Sequence, residues 1–169
     1  MCIRDRFEPI HGTRVSEGVA VVSDFESGTR SGTRTGGTAF GSGPVRSISG
    51  KLPPVGPVDG AFMMSSAASS LGLRAVGTAR TPTFRLPRQA CAVSMLLGTS
   101  GDVSGLFARL EGDGGQVLPV TLPTTPWRLE RVVVEVPSSW LGDEVTLVVG
   151  DDSASAAIFF DDVRVSLRP

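Results

Sequence analysis

The acidic residues most able to do chemistry occur as two adjacent pairs in the C-terminal part of the chain. The pairs are Asp151-Asp152 and Asp161-Asp162. Two carboxylates can serve as the acid and the base of a glycosidase when they flank a substrate bond from two sides. Adjacent residues of a strand point to opposite faces, so neither pair has that geometry. Both pairs fit a solvated loop or a calcium site better than a catalytic pair.

Other catalytic signatures are weak. The only histidine, His11, lies near the N-terminus and outside every predicted strand. Cys91 alternates with Val93 and Met95, which favours a small buried hydrophobe over a reactive thiol. The motif Gly41-Ser42-Gly43 lacks the spacing of a nucleophile elbow, and the sequence has no phosphate-binding loop. The sequence therefore predicts a non-catalytic protein, with a free-standing hydrolase as the weakest alternative.

Carbohydrate binding would need aromatic side chains that stack on sugar rings. The chain has no Tyr and two Trp, Trp127 and Trp140. Either indole could be a ligand-binding residue, and either could instead pack in the core or under a turn. The residue types leave both interpretations open.

Composition excludes two classes of partner. The chain has 169 residues, a net charge of −1 and 40% hydrophobic residues. A near-neutral balance gives no electrostatic footprint for nucleic acid. No apolar run approaches the ~20 residues that span a bilayer. We therefore expect a globular domain that is monomeric in isolation and has no membrane span.

The elements that must position these residues are short strands, because the hydrophobic pattern has a period of two. The 21 Gly and 12 Pro make long helices improbable. Short strands separated by glycine-rich turns predict an all-β antiparallel sandwich of the jelly-roll or Greek-key type. The predicted strands are Val19–Asp24, Ala61–Ser65, Thr83–Leu86, Cys91–Leu97, Leu106–Leu110, Gln116–Thr121, Trp127–Val136, Glu144–Gly150 and Ala157–Leu167.

The N-terminus divides the chain into three parts. Residues 1–6, MCIRDR, resemble a translated sequencing-library adaptor and are excluded from fold reasoning. Residues 7–18 are expected to be a leader or the tail of an upstream region. Residues 19–169 are expected to form one β-sandwich domain, within which residues 28–60 would be long loops.

Several motifs, in this order, resemble the β-sandwich modules attached to bacterial fructan-degrading glycoside hydrolases. The final motif is also similar to the last strand of many jelly-roll carbohydrate-binding modules. The resemblance covers residues 24–167. The motifs are Asp24-Phe25-Glu26-Ser27-Gly28, Gly37-Thr38-Ala39-Phe40-Gly41, Gly77-Thr78-Ala79-Arg80-Thr81-Pro82-Thr83-Phe84, Leu96-Leu97-Gly98, Asp151-Asp152 and Ile158-Phe159-Phe160-Asp161-Asp162-Val163.

The resemblance implies one structural calcium ion. In such modules an acidic residue of the last strand and one near the first strand hold the metal, which here would be Asp161 and Glu26, with Asp24 as a substitute. Asp161 shares the face of Phe159 and Val163, which predicts that it turns towards the core. A buried carboxylate needs a partner. That partner could be calcium or backbone N–H groups of a nearby loop.

The function implied by the resemblance is that of a non-catalytic accessory module of a larger secreted or cell-surface protein. Its expected partners are a polysaccharide and the neighbouring domains of the parent protein. The alternative is a structural spacer or protein-interaction domain without a glycan site.

Overall fold

Alternating apolar and polar residues form strands along most of the chain. The computed structural model describes residues 14–16, 19–48, 52–57 and 60–167. His11 and residues 1–6 lie outside these ranges. The strands, in chain order, are β1 Arg14–Ser16, β2 Val19–Ser23, β3 Arg34–Gly37, β4 Met64–Ser65, β5 Gly77–Arg80, β6 Phe84–Arg85, β7 Ala90–Thr99, β8 Leu106–Gly112, β9 Val117–Val120, β10 Glu130–Glu135, β11 Glu144–Asp151 and β12 Ile158–Leu167.

The strands form two antiparallel sheets. The first sheet has the order β1-β2-β12-β7-β10, with β4 also paired to β12. The second sheet has the order β3-β5-β11-β8-β9, with β6 also paired to β11. Most consecutive strands lie in different sheets, which is the connectivity of a jelly-roll sandwich. The predicted fold class is confirmed.

In the part of the chain that the structure describes, the helical elements are four short 3-10 helices in the connections. None of the helices in the described ranges is long and apolar enough to cross a membrane. The four helices are Ser66–Ala68, Gly72–Arg74, Asp113–Gly115 and Ser138–Trp140.

The main core lies between the sheets. Its centre is Phe160 of β12, whose ring makes edge-to-face contacts with Phe25 at 5.5 Å and Phe40 at 6.1 Å between ring centroids. Inward residues of β11, such as Leu147, pack into the same cluster. Each such side chain contributes about 1.5–3 kcal/mol by leaving water.

A second apolar cluster lies at Phe159, the next residue of β12. It contains Met63, Leu129 and Ile48, and the half-buried ring of Trp127 stacks against Phe159 at 5.5 Å with an interplanar angle of 36°. Because Phe160 faces the main core, its neighbour Phe159 must face the opposite side of the first sheet. The connecting segments 45–48, 52–55 and 63–73 therefore cover part of that outer face.

The period-two pattern located nine strands, and three were missed. Residues 14–16 pair with β2 and so belong to the sheet, whereas the sequence placed them in a leader. β3 and β5 carry glycines where a strand pattern needs large apolar residues, so they were not recognised. The strand predicted from Trp127 begins only at Glu130, because Trp127 has a φ of +58°, which is outside the extended region.

The predicted facing of the last strand was wrong in its first half. Phe159 does not share a face with Val163, because the pairing of β12 with β7 shifts between Asp161 and Arg164. This shift is a β-bulge, and Asp162 within it has a φ of +48°. The bulge reverses the alternation, so Ile158 and Phe160 join the main core together with the residues from Val163 onwards. Asp161 is fully buried, but it pairs with Leu96 before the bulge and so lies on the side of Phe159, not on the side of the main core as predicted.

Two arginines neutralise the carboxylate that the bulge buries. Asp162 is 1% exposed, and its Oδ1 accepts a 2.6 Å hydrogen bond from Nε of Arg164. Arg131 of β10 binds both Oδ2 and the backbone carbonyl of Asp162. Arg131 thereby connects β10 to β12 across the intervening strand β7. A buried charge is tolerated only with such pairing.

We expect Asp162→Asn to lower the free energy of unfolding by about 1–3 kcal/mol, because it removes charge-assisted hydrogen bonds from a buried group. Asparagine accepts the positive φ, so the backbone conformation is retained. The measurement is urea denaturation, with Asp152→Asn, at an exposed aspartate, as the control. Equal effects of the two substitutions would show that the arginine pairs are not important for stability.

Candidate functional site

The outer face of the second sheet carries an aromatic side chain surrounded by arginines. Leu106, Ala108 and Leu110 of β8 pack in the main core. The residues between and after them, Phe107, Arg109 and Glu111, therefore point outwards. Phe107 is half-buried. The packing of the core does not require a large aromatic side chain at this outward position.

The pairing register places the outward residues of five strands in rows. Directly opposed residues of an antiparallel pair lie on the same face. We call this surface the Phe107 face. One row is Gly36, Thr78, Gly150 and Phe107, the next is Arg34, Arg80, Val148, Arg109 and Pro119, and the third is Thr146, Glu111 and Val117.

The Phe107 ring leans from β8 over the adjacent strand β11. Its far edge occupies the space above Gly150, where the Cβ atom of any other residue would collide with the ring. Glycine at position 150 therefore allows the ring to lie across the sheet. The Arg109 guanidinium is 4.8 Å from the centre of the ring, which is within cation–π range. These two contacts hold the ring in a defined position.

Glu111 binds two arginines of the same face. Its Oε2 accepts from Arg80 at 2.6 Å, and its Oε1 accepts from Nε of Arg109 at 2.8 Å. The Arg80 guanidinium beside Glu111 holds the pKa of that carboxyl below its ordinary value, although partial burial acts in the opposite direction. Glu111 is therefore ionised at neutral pH. Its ion pairs fix the direction of both arginine side chains.

Arg80 reaches Glu111 by crossing β11 above Val148. Val148 lies in the same row as Arg80 and Arg109 and is fully buried, although it is absent from the core between the sheets. The aliphatic stems of the two arginines therefore cover it. The result is a sheet face with an apolar centre, an aromatic ring and charged hydrogen-bonding groups at fixed positions.

These groups match what recognition of a sugar requires. An aromatic ring provides the flat apolar surface, and polar side chains around it bind hydroxyl groups. The sequence showed Phe107 and Arg109 at alternating positions beside Leu106 and Ala108. It did not reveal their importance, because Gly150 and Glu111 come next to them only through strand pairing.

Neither tryptophan belongs to the Phe107 face. Trp140 is 6% exposed and packs in the main core, so its indole has no free face to offer a sugar. A ligand-binding role for Trp140 stays a prediction, which this burial does not favour. Trp127 lies in the second cluster against Phe159. A ligand-binding role for Trp127 stays a prediction.

The three acidic residues predicted to bind calcium make contacts with the backbone. Both carboxylate oxygens of Glu26 accept from the N–H of Ala61 at 3.0 Å, and Oε1 also accepts from Phe62. Asp24 Oδ1 accepts from the N–H of Glu26 at 3.3 Å. Asp161 Oδ1 accepts from the N–H of Asp162 at 2.7 Å.

Calcium binding therefore stays a prediction. Within the described ranges, no group of three or more His, Cys, Asp or Glu side chains could hold a metal ion. The contacts of Glu26 fit a different role, which is to hold the turn at residues 60–62. Calcium would need several oxygen ligands at one point, and the described carboxylates do not supply them.

Asp151 forms a buried polar contact at the end of β11. It is 1% exposed, and its Oδ1 accepts from the N–H of Ser153 at 3.0 Å. Burial raises the pKa of the Asp151 carboxyl, against opposing hydrogen bonds from the Ser66 side chain and the Ser153 backbone. The Ser66 hydroxyl also accepts from the N–H of Ile158, so the contact joins β11 to the start of β12.

Two solved structures resemble this sandwich over most of their length. A family 61 carbohydrate-binding module, solved with β-1,4-galactotriose, matches with a TM-score of 0.58 and 17% sequence identity, covering 86% of this chain and 95% of that chain. The K3 cleaved adhesin domain of Lys-gingipain from Porphyromonas gingivalis W83 matches with a TM-score of 0.51 and 13% identity, covering 85% and 96%. This likeness shows the fold, an antiparallel β-sandwich.

No protein-family profile matches the chain, and no curated protein matches it.

We expect Glu26→Gln to lower the free energy of unfolding by about 0.5–1.5 kcal/mol, because one carboxylate oxygen that accepts backbone hydrogen bonds is lost. The loss should be the same with added calcium and with a chelator, measured by thermal denaturation. A calcium-dependent stabilisation of the wild-type chain that Glu26→Gln abolishes would instead support the metal site, because a ligand of the folded state raises its stability.

We expect Asp151→Asn to reduce the pH dependence of stability. The folded state holds the Asp151 proton more tightly than the unfolded state, so wild-type stability falls as pH rises above the ordinary value of 3.8 and levels off above the raised pKa. The variant should be at least as stable as the wild type at neutral pH, with a difference that shrinks towards about pH 4. Denaturation across this range tests it, and an equal loss of stability at every pH would contradict it.

Proposed function

We propose that this chain is a non-catalytic carbohydrate-binding module and that its ligand binds on the Phe107 face. The observation that carries the proposal is the Phe107 ring, which is half-exposed on a sheet face and held over Gly150 beside Arg109. A solvent-facing aromatic ring with fixed polar neighbours is the usual means of binding a sugar. Neither the core packing nor the ion pairs of the sandwich require an aromatic ring at position 107.

The comparison supports the same function. The family 61 module was solved with a bound galactotriose, so a sandwich of this fold can bind a short sugar chain. The Phe107 face is the outer surface of five adjacent strands of the second sheet. Its rows run across these strands, which gives an extended oligosaccharide a surface to lie on. A polysaccharide is therefore the proposed partner of this face.

The wider setting is part of the proposal. We infer that the module is an accessory domain of a larger extracellular or cell-surface protein. A structural calcium ion at Glu26 and Asp161 stays a prediction, and the proposed sugar binding does not depend on it. The alternative is a spacer or protein-interaction domain. The likeness in fold to an adhesin domain supports testing that alternative as well.

We expect Phe107→Ala to weaken binding to a polysaccharide by about tenfold or more, because the stacking surface is lost. The measurement is affinity electrophoresis against a panel of soluble polysaccharides, followed by calorimetry with the best ligand. Val133→Ala is the matched control, because Val133 is 60% exposed on β10 of the other sheet. Thermal denaturation of both variants verifies that they are folded.

Two outcomes would contradict the proposal. Binding that is unchanged in Phe107→Ala would place the sugar site elsewhere, and Trp127→Ala would then be the next variant to test. The absence of binding to every polysaccharide in the panel would favour the spacer or protein-interaction alternative.

A further inference from the structure

Arg34 carries a positive charge on the Phe107 face, and no acidic side chain in the described part of the chain pairs with it. It lies on β3 at the edge of the second sheet and is exposed. Among the described contacts, it has no ion pair and no side-chain hydrogen bond. The face has three arginines but one carboxylate, that of Glu111, which pairs with Arg80 and Arg109. The face is therefore positively charged, although the chain as a whole has a net charge of −1.

The position of Arg34 makes this charge costly. Arg34 and Arg80 are directly opposed in the pairing of β3 with β5. Like charges at opposed positions destabilise a sheet. Arg80 turns away across Val148 to reach Glu111 on β8, so its charge is compensated and that of Arg34 is not. An anion bound between β3 and β5 would offset this repulsion.

The surface between Arg34 and Phe107 is low and open. The Phe107 ring covers Gly150, so the open part of the row consists of Gly36 and Thr78, which have no side chain or a small one. At Gly36 a Cβ atom would meet only the Thr78 hydroxyl, at an ordinary distance of 3.5 Å. Thus packing does not require glycine at position 36, and its absence of a side chain leaves room for a ligand.

The separation of the two residues sets the size of the ligand. The Phe107 ring lies over β11, which is two strand spacings from β3, a distance of about 10 Å. A sugar ring on Phe107 is therefore too far from Arg34 for one monosaccharide to touch both. A short oligosaccharide that runs across the strands can contact both, with a negatively charged group at its end near Arg34.

We propose that the Phe107 face binds an acidic polysaccharide and that Arg34 pairs with the carboxylate of a uronic acid residue. This inference rests on the proposed sugar-binding function and adds the substrate class. Guanidinium and carboxylate form paired, charge-assisted hydrogen bonds with matched geometry. Gly36 and Thr78 form the surface over which the chain passes between Phe107 and Arg34.

The experiment compares three polymers by calorimetry and affinity electrophoresis: polygalacturonate, dextran sulfate and a neutral β-1,4-galactan. The wild-type chain should bind polygalacturonate most tightly, and added salt should weaken that binding, because surface charge pairs are screened. Arg34→Gln should reduce the affinity for polygalacturonate by about tenfold and leave that for the galactan unchanged. Gly36→Leu should weaken binding of both, because its side chain blocks the surface.

Arg128→Gln is the charge-matched control, because Arg128 is an exposed arginine beside Trp127, away from the Phe107 face. It should bind all three polymers as the wild type does. An equal loss in Arg128→Gln and Arg34→Gln would overturn the proposal in favour of non-specific attraction. Tighter binding to dextran sulfate than to polygalacturonate would overturn the choice of a carboxylate.

The failures of the two proposals are distinguishable. If Phe107→Ala abolishes binding to the neutral galactan but Arg34→Gln has no effect on polygalacturonate, the sugar site stands and the uronic acid assignment is wrong. If Phe107→Ala changes the binding of none of the three polymers, the sugar site itself is wrong.

Discussion

The antiparallel register between β8 and β11 is the constraint on which the candidate site depends. This register puts Gly150 opposite Phe107 and Val148 opposite Arg109. A slip of one residue would turn the buried side chains of a strand to the solvent face, so the core of the sandwich fixes the register. The same register therefore fixes the positions of the residues on the outer face. Phe107 has space to lie down only because the residues on the inner side of the same two strands are held by packing.

Two carboxylates on different sheets follow the same electrostatic pattern. Asp162 binds Arg131 and Arg164 in the first sheet, and Glu111 binds Arg80 and Arg109 in the second. Each lies among side chains of more than one strand, and each fixes two long side chains that would otherwise move freely. They differ in burial. Asp162 is sealed within its sheet and serves stability, whereas Glu111 remains partly exposed and presents its arginines to solvent.

The sequence predicted the sandwich because nine strands have a strong alternating pattern. It did not predict β3 and β5, whose glycines give no apolar signal, and those strands carry Arg34 and Thr78 of the Phe107 face. It also could not place the bulge at Asp161 and Asp162, because a change of phase within a run of apolar residues leaves no mark in the pattern. In the sequence, Phe107 only alternates with the apolar residues Leu106 and Ala108, and nothing there marked it as a site residue. Its relation to Gly150 depends on a strand pairing that one sequence does not contain.

The edges of the second sheet have a consequence for how the domain behaves beside copies of itself. β9 is one edge and contains Pro119, which has no N–H, so a strand approaching from solvent would lack a hydrogen-bond donor there. β3 is the other edge and ends at Gly37, whose φ of +78° interrupts the extended backbone. Neither edge is a good template for another strand. Copies of the domain can therefore lie close together along a polymer or within a longer chain without pairing through their second sheets.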